Sequence, residues 1–90
     1  MNTPKIMKRI GERVREKRRA LGLSVEEVAA RSLTNKDVIK ELEWSMMLDI
    51  DVKTLQHIAF AMNSSLGELV HDFPMLDVGP GRYKIVPNEM

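Results

Sequence analysis

Over the first seventy residues, apolar side chains recur at intervals of three and four, the spacing of helices that pack along one side. Ile6, Ile10, Val14 and Leu21 form the first such stripe, and Gly22 is placed to end it. Lys17 falls where that stripe would carry an apolar residue, so its methylene stem is expected along the edge of the core. Ser24, Val25, Glu26 and Glu27 have the form of a capping box: the serine hydroxyl accepts from the amide three residues on, and the glutamate reaches back. A short second helix from Val25 to about Ser32 follows, with Val28 and Ala29 inward. After a break, Thr34 or Asn35 can cap a third helix from about Lys36 to Trp44. Val38, Ile39 and Leu42 make its inner face, and Lys36, Asp37, Lys40, Glu41 and Trp44 its outer one. Asp51 caps a fourth helix that buries Val52, Leu55, Ile58, Ala59 and Met62. Asn63 and Ser64 end it, and Ser65 caps a short fifth helix carrying Leu66, Leu69 and Val70. Beyond Pro74 the texture changes: residues 75–78 and 83–86 read as two strands around the turn from Gly79 to Arg82. A lone hairpin is marginal in water, so this one must pack on the helices, pair with a second chain or remain mobile.

At 90 residues, 43% hydrophobic and 30% charged, the chain has material for one small core and none for a second. The absence of cysteine excludes disulfides and thiolate metal sites, leaving apolar packing, helix caps and self-association to hold the fold. No apolar run approaches the roughly 20 residues of a membrane-spanning helix. The first residues lead into a charged helix rather than an apolar signal core. A soluble, cytoplasmic protein without a membrane partner is expected. The formal net charge of +1 hides a strong segregation. Residues 5–21 hold eight cations (Lys5, Lys8, Arg9, Arg13, Arg15, Lys17, Arg18 and Arg19) against Glu12 and Glu16; the rest of the chain has six cations against eleven acids. Phosphate chains respond to such a local field even when the total charge is small.

Five short helices, with a tight turn between the second and third, already suggest helix-turn-helix DNA binding. The stretch 10–24 (IGERVREKRRALGLS) resembles the first helix and cap of the phage-repressor, or XRE-type (Cro/C1-like), helix-turn-helix regulators. Residues 25–29 (VEEVA) look like that family's second helix, with its small alanine at the helix crossing. Ile39, Leu42 and Glu43 match the end of its recognition helix, and Ala59, Ala61, Met62, Ser65, Leu66, Glu68 and Leu69 its last two helices. The resemblance covers about residues 6–70. It implies an all-α, five-helix lambda-repressor-like DNA-binding domain over residues 1–72, with the helix-turn-helix at about 25–44. Residues 73–90 are then a tail or short β-hairpin and a candidate dimerisation element. It also implies that the third helix enters the major groove, that the second crosses the phosphate backbone, and that Arg18 pairs with Glu43.

Three positions depart from the family pattern. Val25 stands where a polar residue, often glutamine, touches DNA. Leu33 stands where the turn has glycine; a left-handed leucine costs on the order of 1–2 kcal/mol, which a reshaped turn would avoid. The loop after the third helix, usually basic or polar, reads Trp44, Ser45, Met46, Met47, Leu48 without a positive charge.

The outer face of the third helix is mixed. Lys36 and Lys40 lie one turn apart, as do Asp37 and Glu41, and like charges at that spacing destabilise a helix by a few tenths of a kcal/mol. Lysine can donate to guanine and a carboxylate can accept from cytosine, but a carboxylate also repels phosphate. The pattern therefore suits selective base reading or no DNA at all. The expected base-reading set is Asn35, Lys36, Asp37, Lys40 and Glu41. Lys8, Arg9, Arg13 and the other first-helix cations are candidates for the DNA backbone, with Val25 and Trp44 at family contact positions but able to give only apolar contact or packing. Two of the four large loop residues are expected to fold inward. Met46, Met47 and Leu48, with Tyr83 and Ile85, are candidate dimer contacts. His57 is expected on the exposed side of the fourth helix and His71 after the fifth, a poor arrangement for a metal. No phosphate loop or nucleophile motif appears, so neither an enzyme nor a cofactor is expected. The sequence reads as a sequence-specific transcriptional regulator, a repressor binding double-stranded DNA at a palindromic operator as a homodimer. The alternative is the same scaffold reused as a protein-interaction or antitoxin-like module with weak or no DNA binding.

Overall fold

The computed structural model of the chain describes residues 5–70, 75–79 and 82–85. Five helices run in order: α1 (Lys5–Ala20), α2 (Val25–Ser32), α3 (Lys36–Glu43), α4 (Val52–Ala61) and α5 (Leu66–Val70). A two-stranded antiparallel hairpin follows, β1 (Met75–Gly79) and β2 (Arg82–Ile85), with β2 lying nearest α4. Tyr83 and Ile85 pair in register with Asp77 and Met75. His71 lies outside the described residues.

The starts of α2, α3 and α4 follow from their caps. Ser24 Oγ accepts from the Glu27 amide at 3.0 Å while the Glu27 carboxylate accepts from the Ser24 amide at 3.0 Å, so the capping box is complete. Asn35 Oδ1 accepts from the Asp37 amide at 2.8 Å, and Asp51 accepts from the Thr54 amide at 3.3 Å. Between the two candidate caps of α3 it is therefore Asn35 that serves; the Thr34 hydroxyl instead donates to the Ser32 carbonyl.

The helix ends share one device. At each of the first four, a residue in the left-handed region bonds its amide back three residues, and the next amide bonds back five, the Schellman arrangement. The left-handed residues are Gly22 (φ 69°), Leu33 (φ 55°), Ser45 (φ 59°) and Asn63 (φ 55°). Glycine takes this conformation freely and asparagine tolerates it; leucine does not. The turn between α2 and α3 is thus not reshaped around Leu33. The leucine takes the strained conformation itself, with its side chain 95% exposed.

The core is one cluster fed by every helix: Ile6, Met7, Ile10 and Val14 from α1, Val28 and Ala29 from α2, Ile39 and Leu42 from α3, Val52, Leu55, Ile58 and Ala59 from α4, and Leu69 and Val70 from α5. Leu21 departs from its expected place. The chain leaves α1 at Ala20, so Leu21 swings out to solvent, and Leu23, two residues on, packs against the core instead. The loop after α3 departs as well. Only Met47 turns toward the core, whereas Trp44, Met46 and Leu48 remain exposed. Trp44 is carried outward by the outer face of α3, and the left-handed Ser45 turns the chain before Met46 can reach inward.

Candidate nucleic-acid interface

α3 is fixed by its inner side. Gly11 of α1 crosses the C-terminal end of α3 so closely that a Cβ there would overlap the Leu42 carbonyl oxygen. Beside this crossing, Arg18 Nε donates to Glu43 Oε2 at 2.7 Å and Nη2 to Oε1 at 2.8 Å, a forked pair. Arg18 Nη1 also donates to the Leu23 carbonyl at 2.9 Å, joining the end of α1 and its loop to α3. The Glu43 side chain is only 2% exposed. Its hydrogen bond raises the Arg18 pKa above the ordinary arginine value, against the opposing effect of burial. With its guanidinium spent on these three acceptors, Arg18 sets the angle of α3.

The outer side of α3 is open. Asn35, Lys36, Asp37, Lys40 and Glu41 are all exposed. At 100° per residue, Lys36, Lys40 and Trp44 form one row, and Asp37 and Glu41 a second row beside it. Asn35 has its amide oxygen engaged in the cap, which leaves its NH2 as the group able to donate outward.

The backbone candidates separate. Lys8 lies on the α3 side of α1, in the stripe that also carries Arg15 and Arg19. Arg13 faces the other way, and its Nη1 donates to the Leu69 carbonyl at 2.7 Å. Arg9 is one turn from Arg13 on that same side, where the two line a shallow cleft with Glu12 and Glu16. Lys17 follows them toward α5: it is half-exposed, its Nζ 3.9 Å from Glu68. Val25 is half-buried against the core and contributes packing. Trp44 is 67% exposed and has the Arg15 guanidinium over its ring, 6.0 Å from the centroid. His57 is exposed on α4, as expected.

The sequence did not single out Gly11, and it offered Arg15 only as one of the first-helix cations. Gly11 had a signal, a glycine inside an apolar helical stripe, which commonly marks a close approach. The placement of Arg15 over Trp44 had none, because it spans 29 positions and depends on the α1–α3 crossing.

The sequence matches no protein-family model and no curated protein. Solved structures do match. The restriction-modification controller protein C.AhdI from Aeromonas hydrophila is 27% identical, with 70% of this chain and 94% of that one aligned at a TM-score of 0.66. The clp gene regulator ClgR from Corynebacterium glutamicum is 20% identical over 78% of this chain and 73% of its own, with a TM-score of 0.69. A chain of the SinR protein/SinI protein complex is 21% identical over 70% of this chain, with a TM-score of 0.66; the match spans 61% of that chain's length. All three are XRE/Cro-C1-like helix-turn-helix proteins, so the fold is the one that the sequence resemblance implied. Among the described residues, no helix is long and apolar enough to cross a membrane.

Proposed function

We propose that this chain is a sequence-selective DNA-binding transcriptional regulator, a repressor that occupies a palindromic operator as a homodimer. One observation carries the reading: α3 is locked from behind by α1 and α2 while Lys36, Asp37, Lys40 and Glu41 stay uncovered along its outer side. That is the arrangement a recognition helix needs, since base edges are read by side chains held at a fixed angle in the major groove. Lys36 and Lys40 donate to guanine, Asp37 and Glu41 accept from cytosine, and Asn35 donates at the helix entry. Lys8 contributes to the backbone from the α3 side of α1, and Arg9, which faces away from α3, is a secondary candidate. Arg13 is the weakest of the backbone candidates, since its guanidinium holds the α5 carbonyl.

Residues 1–72 constitute the DNA-binding domain and residues 73–90 the dimerisation element, with Met46, Met47, Leu48, Tyr83 and Ile85 at the contact between copies. Two copies then present two α3 helices about 34 Å apart, one turn of duplex. C.AhdI, a restriction-modification controller protein, and ClgR, a clp gene regulator, favour the same role. Selection of binding sites from random duplexes at fixed ionic strength tests it. A two-fold symmetric consensus is expected; the absence of any enriched sequence contradicts it.

The exposed Trp44, Met46 and Leu48 favour a second reading, a protein-binding module on the same scaffold. Recovery of one stoichiometric protein partner, with no retention on DNA, would select that reading over the first.

A further inference from the structure

The connection from α3 to α4 holds two acids, Asp49 and Asp51, and no cation. A duplex seated on α3 would bring a phosphate strand past this edge, so any positive charge there must come from another element. The fold supplies one. The close crossing at Gly11 lays α1 across the end of α3, and Arg15, one turn further along α1, comes over Trp44 at 6.0 Å. Arg18, the neighbouring cation at the crossing, is already committed through Nε, Nη1 and Nη2 to Glu43 and Leu23. Arg15 is bound by no such fork, and it is half-exposed beside the outer row of α3 that ends in Trp44. Trp44 leaves two-thirds of its surface to solvent, an unusual outlay for a large aromatic that contributes nothing to the core. Its ring face attracts a guanidinium electrostatically and limits where that cation goes, while the guanidinium keeps N–H groups for an anion.

We infer that Arg15 is a DNA-backbone contact at the edge of α3, and that Trp44 is the positioning residue that holds it there. The pair takes the place of the cation missing from the loop. This assignment rests on the DNA-binding reading of α3.

The test uses the full chain, a duplex carrying the selected sequence and a scrambled duplex of equal length. Arg15→Gln is expected to weaken binding to both duplexes about tenfold near 0.1 M salt, and to reduce the slope of log K against log salt by about 0.9. Trp44→Ala, which removes no charge, weakens both by a smaller factor, and Trp44→Phe restores most of the loss. Trp44 is the sole tryptophan, so its fluorescence reports the site directly; it shifts when DNA is added to the unaltered chain and shifts less in Arg15→Gln. Unchanged affinity and salt slope in Arg15→Gln, with a folded far-ultraviolet spectrum, overturn the assignment while leaving α3 as the reader. If the unaltered chain shows no salt-dependent binding to either duplex, both readings fall together.

Discussion

The two sides of α3 obey different rules. On the inner side every feature has an intramolecular reason: Ile39 and Leu42 fill the core, Gly11 admits the α3 backbone, and the buried carboxylate of Glu43 meets a two-pronged donor. The outer side has no such account. Lys36 and Lys40 repel one another across one turn, as do Asp37 and Glu41, and none of the four is buried. Asp37 and Lys40, three residues apart, offset these repulsions only in part, so helix stability alone does not account for the pattern. The inner side explains why α3 is held still, and the outer side points to something beyond the protein that it is held still for.

Substitutions on the inner side should therefore unfold the protein, and those on the outer side should not. Arg18→Met is expected to have the largest effect, about 3–5 kcal/mol, because it leaves Glu43 buried without a partner; chemical denaturation measures it. Gly11→Ala follows at about 3 kcal/mol, since the clash is with the α3 backbone and only a separation of the two helices relieves it. Leu33→Gly should move the other way and raise stability by about 1 kcal/mol, seen as a higher thermal midpoint. It removes the left-handed strain and sacrifices no packing, because the side chain lies in water.

The smallest effect is electrostatic. The Glu27 carboxylate is held below the ordinary glutamate value first by the Ser24 amide, then by the Ser24 hydroxyl; Glu68 is lowered chiefly by its hydrogen bond from Ser64, with Lys17 assisting. A lowered pKa means the folded state binds the proton less readily than the unfolded chain. The stabilisation is thus complete above the ordinary carboxylate range and is lost as the pH falls through and below that range. Glu27→Gln should flatten that part of a stability-against-pH curve by lowering its neutral plateau slightly toward the acid limb.

Much of this was legible in the chain, where the physics is local. The capping box gave α2 from Val25 to Ser32, and the short polar side chains of Asn35 and Asp51 marked the starts of α3 and α4. The Arg18–Glu43 pair was visible only through the family resemblance, since a contact 25 residues apart has no local signature. What was not legible depended on how helices cross or end. Leu21 matched the α1 stripe, but the helix stopped one residue short of it. The loop after α3 looked half-buried by composition, yet a left-handed Ser45 and the outward direction of Trp44 left three of its four large side chains in solvent. The bond from Arg13 to the Leu69 carbonyl was not legible either, since it depends on how α5 docks on α1.

The outer side of α3 is tested most directly by Lys40→Ala, measured against the selected operator and all its single-base-pair variants at one stated ionic strength. An unchanged thermal midpoint, a loss of about 1–3 kcal/mol on the operator, and relaxed discrimination at a single base pair per half-site are expected. An unaltered operator affinity with every base preference intact would contradict this expectation.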